Sequence, residues 1–189
     1  MKKYELTAEF IEKWGKKLFR IKALISFGSV EAGELGGYVE KEDNLAQDGN
    51  AWVYGNAEVY GNAEVCGNAR VCGNARVYGD AWVYGNARVY GDARVCGNAE
   101  VYGNADYLLI GRIGSRFSFT TFFKNKDKGI TVSCGCFLGT IAEFRAKVTD
   151  THGNNKHAKI YNLAADMAEL QILGEEHFDK LNTNKSEPF

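Results

Sequence analysis

Three histidines are the groups in this chain best suited to acid–base chemistry near neutral pH, and all of them, His152, His157 and His177, lie beyond residue 150. His152 and His157 are the candidate catalytic bases. His152, in "THGNN", falls where a turn between two helices is expected, and a polar surface role is the simpler one there. Five cysteines are present. Cys66, Cys72 and Cys96 are scattered along a repeat, while Cys134 and Cys136 stand two residues apart on one expected strand. None has the C-x-x-C or C…H spacing of a redox or metal centre, so neither metal nor cofactor is expected, and free thiols suit a reducing cytoplasm. No G-x-x-x-x-G-K-[ST] run appears, which makes the 22 glycines chain corners rather than a phosphate cradle. These residues supply no catalytic constellation, and the chain reads as a binding protein rather than an enzyme.

Binding chemistry is better represented. Arg70, Arg76, Arg88 and Arg94 alternate with Trp52, Trp82, Tyr84 and Tyr90 at positions expected to face outward, and Lys124, Lys126 and Lys128 crowd the segment "KNKDKG". Tyr, Trp and Arg dominate binding hot spots, and Arg and Lys suit phosphate. Lys and Arg number 23 against 24 Asp and Glu, which argues against a sequence-wide pull towards nucleic acid or a membrane surface. Residues 51–106 hold six acids and four arginines, too near neutrality to imitate a nucleic-acid duplex. The opening lysines precede no apolar run, and no stretch approaches membrane-spanning length, so a cytoplasmic protein is expected.

The elements that must position these residues come from one phrase. V-[Y/C]-G-[N/D]-A-x occurs nine times without a gap, its valines at 53, 59, 65, 71, 77, 83, 89, 95 and 101. A six-residue period is a β-helix signature. In each short strand x-V-[Y/C], valine faces the core and its neighbours face outward; Gly-Asn or Gly-Asp turns the corner, and alanine tucks inward. Three hexads per coil give an 18-residue period. The outward columns then read Glu58/Arg76/Arg94, Trp52/Arg70/Arg88/Asp106 and Glu64/Trp82/Glu100, with Arg–Arg steps that fit poorly. Carried outward, the register puts Leu35/Val39, Lys41/Leu45 and Gln47/Ala51 in the inward slots, and Tyr107/Gly111 and Ile113/Phe117 extend it weakly.

The repeat resembles the left-handed β-helix proteins of the hexapeptide-repeat superfamily, [LIV]-G-x-x-[STAV]-x, over about residues 35–106. The resemblance implies a left-handed, three-sided parallel β-helix. The flanks "LFRIKAL…FGSVEAGELGGYVEKEDNL" and "CGCFLGTIAEFRAKVTDTHG" are similar to phage and prophage hexapeptide-repeat proteins, a group that brings no fixed activity with it. The superfamily's acyltransferases are trimers that carry a histidine on the coils; here the coils carry none.

The expected organisation is mainly β: an N-terminal cap (1–34), the hexapeptide β-helix (35–106) and a small C-terminal α+β module (107–189). Leu18, Ile21 and Leu24 alternate as in a strand. "RFSFTTFF" and "ITVSCGCFL" read as two strands of a hairpin. Thr140 and Glu143 form a capping box that opens a helix with Ile141, Phe144 and Val148 on one face. A second helix, 156–173, shows Ile160, Leu163, Ala164, Met167 and Leu170 at helical spacing. "LNTNKSEPF" is expected to fray. The function expected is that of a phage-type accessory protein, a homo-oligomer and most simply a trimer. It would act as an inhibitor or sponge against a host defence protein or a small anionic metabolite. The alternatives are a hexapeptide acyltransferase using acyl-CoA at subunit interfaces and a structural virion or scaffold component.

Overall fold

A computed structural model describes residues 2–176; the expected frayed end and His177 lie outside the described residues. The chain parts between Asn104 and Ala105 into two compact units.

The first unit opens with an antiparallel hairpin, β1 (Tyr4–Lys13) and β2 (Lys16–Ala23), and β2 pairs antiparallel with β3 (Leu35–Val39). Then come nine two-residue strands, β4–β12, one at each x-Val pair from Trp52–Val53 to Glu100–Val101. Each pairs in parallel with the strand 18 residues away, in three separate stacks. The result is a β-solenoid of about four turns, and the three outward columns stand as the 18-residue period requires. Asp106 is the exception: it leaves its column for a 3₁₀ turn, Asn104–Asp106.

Every repeat valine is fully buried, and so are the alanines from Ala51 to Ala93. Each valine contributes about 1.5–3 kcal/mol of burial. Corner geometry explains the invariant glycine. Gly79 sits at φ +75°, and a Cβ there would lie 2.9 Å from the Gly97 nitrogen in the next coil. Asparagine follows because its amide can donate to the next corner: Asn50 to Asn68 (2.9 Å), Asn68 to Asn86 (3.2 Å), Asn62 to Asp80 (3.1 Å) and Asn74 to Asp92 (3.3 Å).

The first coil departs from the expected register. Val39 pairs with Val59 and Leu45 with Val65, 20 residues apart, whereas the Asn50 nitrogen donates to the Gly67 carbonyl, 17 residues on, as in every regular coil. Gln47 and Asp48 are therefore a two-residue insertion at one corner. Val39 and Leu45 take the valine slots, while Leu35 and Lys41 are exposed and Gln47 is half-buried. The insertion receives the N-terminus. Gln47 Oε1 accepts from the Lys3 backbone nitrogen (2.8 Å), and Lys3 Nζ donates to the carbonyls of Asp48 (3.1 Å) and Ala51 (3.0 Å). Of the expected cap strand, Leu18 and Ile21 are buried but Leu24 is exposed, because β2 ends at Ala23.

The second unit is a four-stranded antiparallel sheet, β13 (Tyr107–Ile113), β14 (Ser118–Lys124), β15 (Ile130–Cys134) and β16 (Phe137–Thr140), with α1 (Ile141–His152) and α2 (Lys156–Leu173) packed on it. Tyr107 and Ile113 thus belong to this sheet and do not extend the solenoid. "ITVSCGCFL" divides into two strands at Gly135 (φ +62°). Cys134 is therefore half-buried at a strand end, Cys136 is exposed in the turn, and the two do not share a strand face. The Thr140–Glu143 capping box forms, with Thr140 Oγ1 accepting from the Glu143 nitrogen at 3.3 Å. On α2 the buried face is Ala158, Tyr161, Ala164, Ala165, Ala168 and Ile172, and its four alanines let the helix lie close. Ile160, Leu163, Met167 and Leu170 form an exposed apolar row instead. No helix among the described residues is long and apolar enough to cross a membrane.

Candidate functional site

Strand β1 ends at Lys13, and Trp14 and Gly15 make the two-residue turn into β2, at φ 52° and 72°. Tight hairpins of this kind require positive φ at both residues. Glycine adopts it freely; for a tryptophan it costs about 1–2 kcal/mol. Local strain of this sort concentrates at functional positions. Trp14 stacks on Tyr60 (centroids 5.2 Å apart) while remaining 57% exposed, and Tyr60 stacks on Tyr78 at 5.0 Å with the rings 1° from parallel.

Cations gather beside this stack. The Arg76 guanidinium lies 4.9 Å from the Trp14 ring centre, and Lys13 Nζ donates to Glu58 Oε1. Glu58 is 3% exposed. Arg76 Nε stands 3.3 Å from Glu58 Oε2, within ion-pair distance but not aligned for a hydrogen bond, so Oε2 accepts none from the described residues. Arg94 pairs directly with Arg76 in the ladder. Like charges opposite one another on a sheet repel, and an anion between them would relieve the repulsion. Two hollows meet at these arginines: one of 460 Å³ bordered by Lys13, Tyr38, Glu58 and Asp92, and one of 300 Å³ bordered by Trp14, Tyr60 and Tyr78.

Burial pushes the Tyr60 phenol up to about 12, and burial with the neighbouring Cys96 raises Tyr78 as well. A phenol whose folded pKa is raised stabilises the fold fully below the ordinary value near 10 and loses that stabilisation as pH climbs above it. Thermal stability is therefore expected to fall as pH rises from about 10 towards 12. Phenolate absorbance should show these two tyrosines ionising only together with unfolding. Their reversible ionisation near pH 10 in the folded protein would contradict the packing described.

The expected binding residues divide. Arg76 and Arg94 enter this groove. Arg70 and Arg88 pair with one another on a different stack, and Trp82, on the remaining stack, meets Tyr84 edge-to-face at 6.3 Å. Tyr90 is 56% exposed. Trp52 is corrected: it is fully buried, edge-on to Tyr4 (6.0 Å) and Phe27 (5.4 Å), and so presents no binding surface. Glu58 and Cys96 likewise turn out buried rather than outward. Lys124 in the second unit pairs with Asp106 at 3.5 Å, while Lys126 and Lys128 are exposed at a hairpin tip. His152 is the last residue of α1 rather than part of a turn. His157 lies in the first turn of α2, with the two rings 5.8 Å apart.

Lys13, Trp14 and Glu58 were not among the expected site residues, and the signal that could have found the first two is the pair Trp14-Gly15, an x-Gly turn between two alternating runs. Residues 69–85 and 81–97 match the YdcK β-solenoid repeat. No curated protein matches the chain. The central hexads are similar to that repeat, which together with the parallel ladders makes the chain a β-helix repeat protein.

Proposed function

We propose that the protein is a non-enzymatic binding protein whose groove takes a small anion bearing a planar ring, such as a nucleotide. The anion would lie between Arg76 and Arg94, and the ring in the hollow of Trp14, Tyr60 and Tyr78. The observation that carries this reading is the direct Arg76–Arg94 pairing beside a stacked aromatic ladder. The solenoid is proposed to be left-handed and three-sided, one side for each ladder stack. The role proposed for this binding is that of a sponge or inhibitor against a host metabolite or defence protein in the host cytoplasm, in line with the resemblance of the flanks to phage proteins.

Titration calorimetry with a panel of nucleoside mono- and diphosphates tests this reading. Each charge-assisted hydrogen bond is worth about 1.5–3 kcal/mol. The Arg76→Ala, Arg94→Ala double variant should therefore bind at least about tenfold more weakly. Unchanged affinity in that variant, or no binding of any panel member at millimolar concentration, would remove the proposal.

Assembly as a trimer is proposed through the exposed aromatics Trp82, Tyr90 and Tyr102, each at least half exposed. Light scattering should give three times the chain mass, and the Trp82→Glu, Tyr90→Glu variant should reduce it to one. A monomeric wild type would contradict this.

A further inference from the structure

The second unit contains a smaller cavity, of 180 Å³, that the groove chemistry does not use. Its wall includes Arg116, Lys147 and His152 and no carboxylate. Cys134 borders it, and its sulfur accepts from a buried hydroxyl. Thr120 Oγ1 donates to Cys134 Sγ at 3.2 Å, and Tyr161 lines the same cavity. The Tyr161 position is tightly determined. Its ring is stacked with His152 at 5.7 Å, and its hydroxyl is so close to Gly114 that a Cβ there would come within 1.9 Å of it. Gly114 also takes φ +74°, so glycine is required on both counts. Lys147 Nζ also donates to Asp150 Oδ2 at 2.9 Å, and Asp150 is not part of the cavity wall.

A cleft whose charged side chains all carry one sign concentrates ions of the other sign. A volume of 180 Å³ admits a ligand of only a few heavy atoms. We infer that this cavity binds a small oxyanion, a carboxylate or inorganic phosphate, held by Arg116, Lys147 and His152 against the Cys134 thiol. The site lies wholly within the second unit and does not depend on the groove.

Cys136 provides an internal control, two residues away and exposed in the turn. The probes are iodoacetate, which is anionic, and iodoacetamide, which is neutral. With either, Cys134 Sγ displaces iodide from the reagent's methylene carbon: the S–C bond forms as the C–I bond breaks, and the thiol proton passes to buffer. The ratio of the two rates cancels simple accessibility. Peptide mass spectrometry should show an iodoacetate-to-iodoacetamide ratio about tenfold higher at Cys134 than at Cys136. The Arg116→Ala, Lys147→Ala variant should bring the two ratios together, and millimolar phosphate should protect Cys134 while leaving Cys136 unaffected. Equal ratios at the two cysteines in the wild type, a raised ratio that survives the double variant, or Cys134 left unprotected by phosphate would each overturn the assignment.

Discussion

Trp52→Ala is expected to destabilise the first unit by about 3–5 kcal/mol, the range for deleting a fully buried large aromatic. Trp52 fills the space between the solenoid face and the cover formed by Tyr4 and Phe27, and a Cβ on Gly36 would lie only 2.7 Å from its ring. The anchor also has a functional consequence. Tyr4 begins the strand whose far end delivers Lys13 and Trp14 to the groove, so ligand affinity should fall with stability. A graded control exists. Trp52 Nε1 is buried without a hydrogen-bond partner among the described residues, so Trp52→Phe, which removes that orphaned donor and part of the volume, should cost well under half as much. Leu35→Ala, on an exposed position, should stay within about 0.5 kcal/mol. Chemical denaturation of the three variants reads these differences directly. A loss below about 1 kcal/mol for Trp52→Ala would contradict the packing described.

The second large effect belongs to the other unit. Arg145 on α1 reaches Asp166 Oδ1 at 2.7 Å and Glu169 Oε2 at 2.6 Å on α2, and Glu169 is 6% exposed. Removing the cation leaves a carboxylate stranded away from water. Arg145→Met should therefore cost about 3–5 kcal/mol, confined to the second unit's unfolding transition. Replacing both partners is a different matter, since a buried ion pair exchanged for apolar side chains is often neutral. The Arg145→Met, Glu169→Met double variant should thus recover most of the loss. A double variant no more stable than the single one would show that the pair's strength, rather than the stranded charge, sets the cost.

Much of this architecture was legible in the residues because a solenoid repeats its local environment. Every valine between 53 and 101 pairs with a valine one coil away, so one hexad specifies the rest, and the 18-residue pairings of Glu58 with Arg76 and of Arg76 with Arg94 emerged from the columns alone. Caps written in neighbouring residues, Thr140 with Glu143, were equally legible. Features decided by distant cover were not. Whether Trp52 and Glu58 face water depends on a hairpin some 40–50 positions earlier in the chain, and the insertion of Gln47 and Asp48 is visible only once Lys3 docks against it. On α2 the large residues Leu163 and Met167 suggested a buried face, yet the sheet accepted the alanine face, because close approach mattered more than side-chain size. The candidate groove was half legible. Arg76 and Arg94 were named for their type and column. Lys13 and Trp14 reach them only through the fold.

Native mass spectrometry tests the central claim most directly. Wild type and the Arg76→Ala, Arg94→Ala variant would be purified side by side and gently from the same host cells, with no ligand added. The account predicts wild-type protein carrying an additional small-molecule mass that is absent from the variant. The same adduct on both proteins, or none on either, would contradict it.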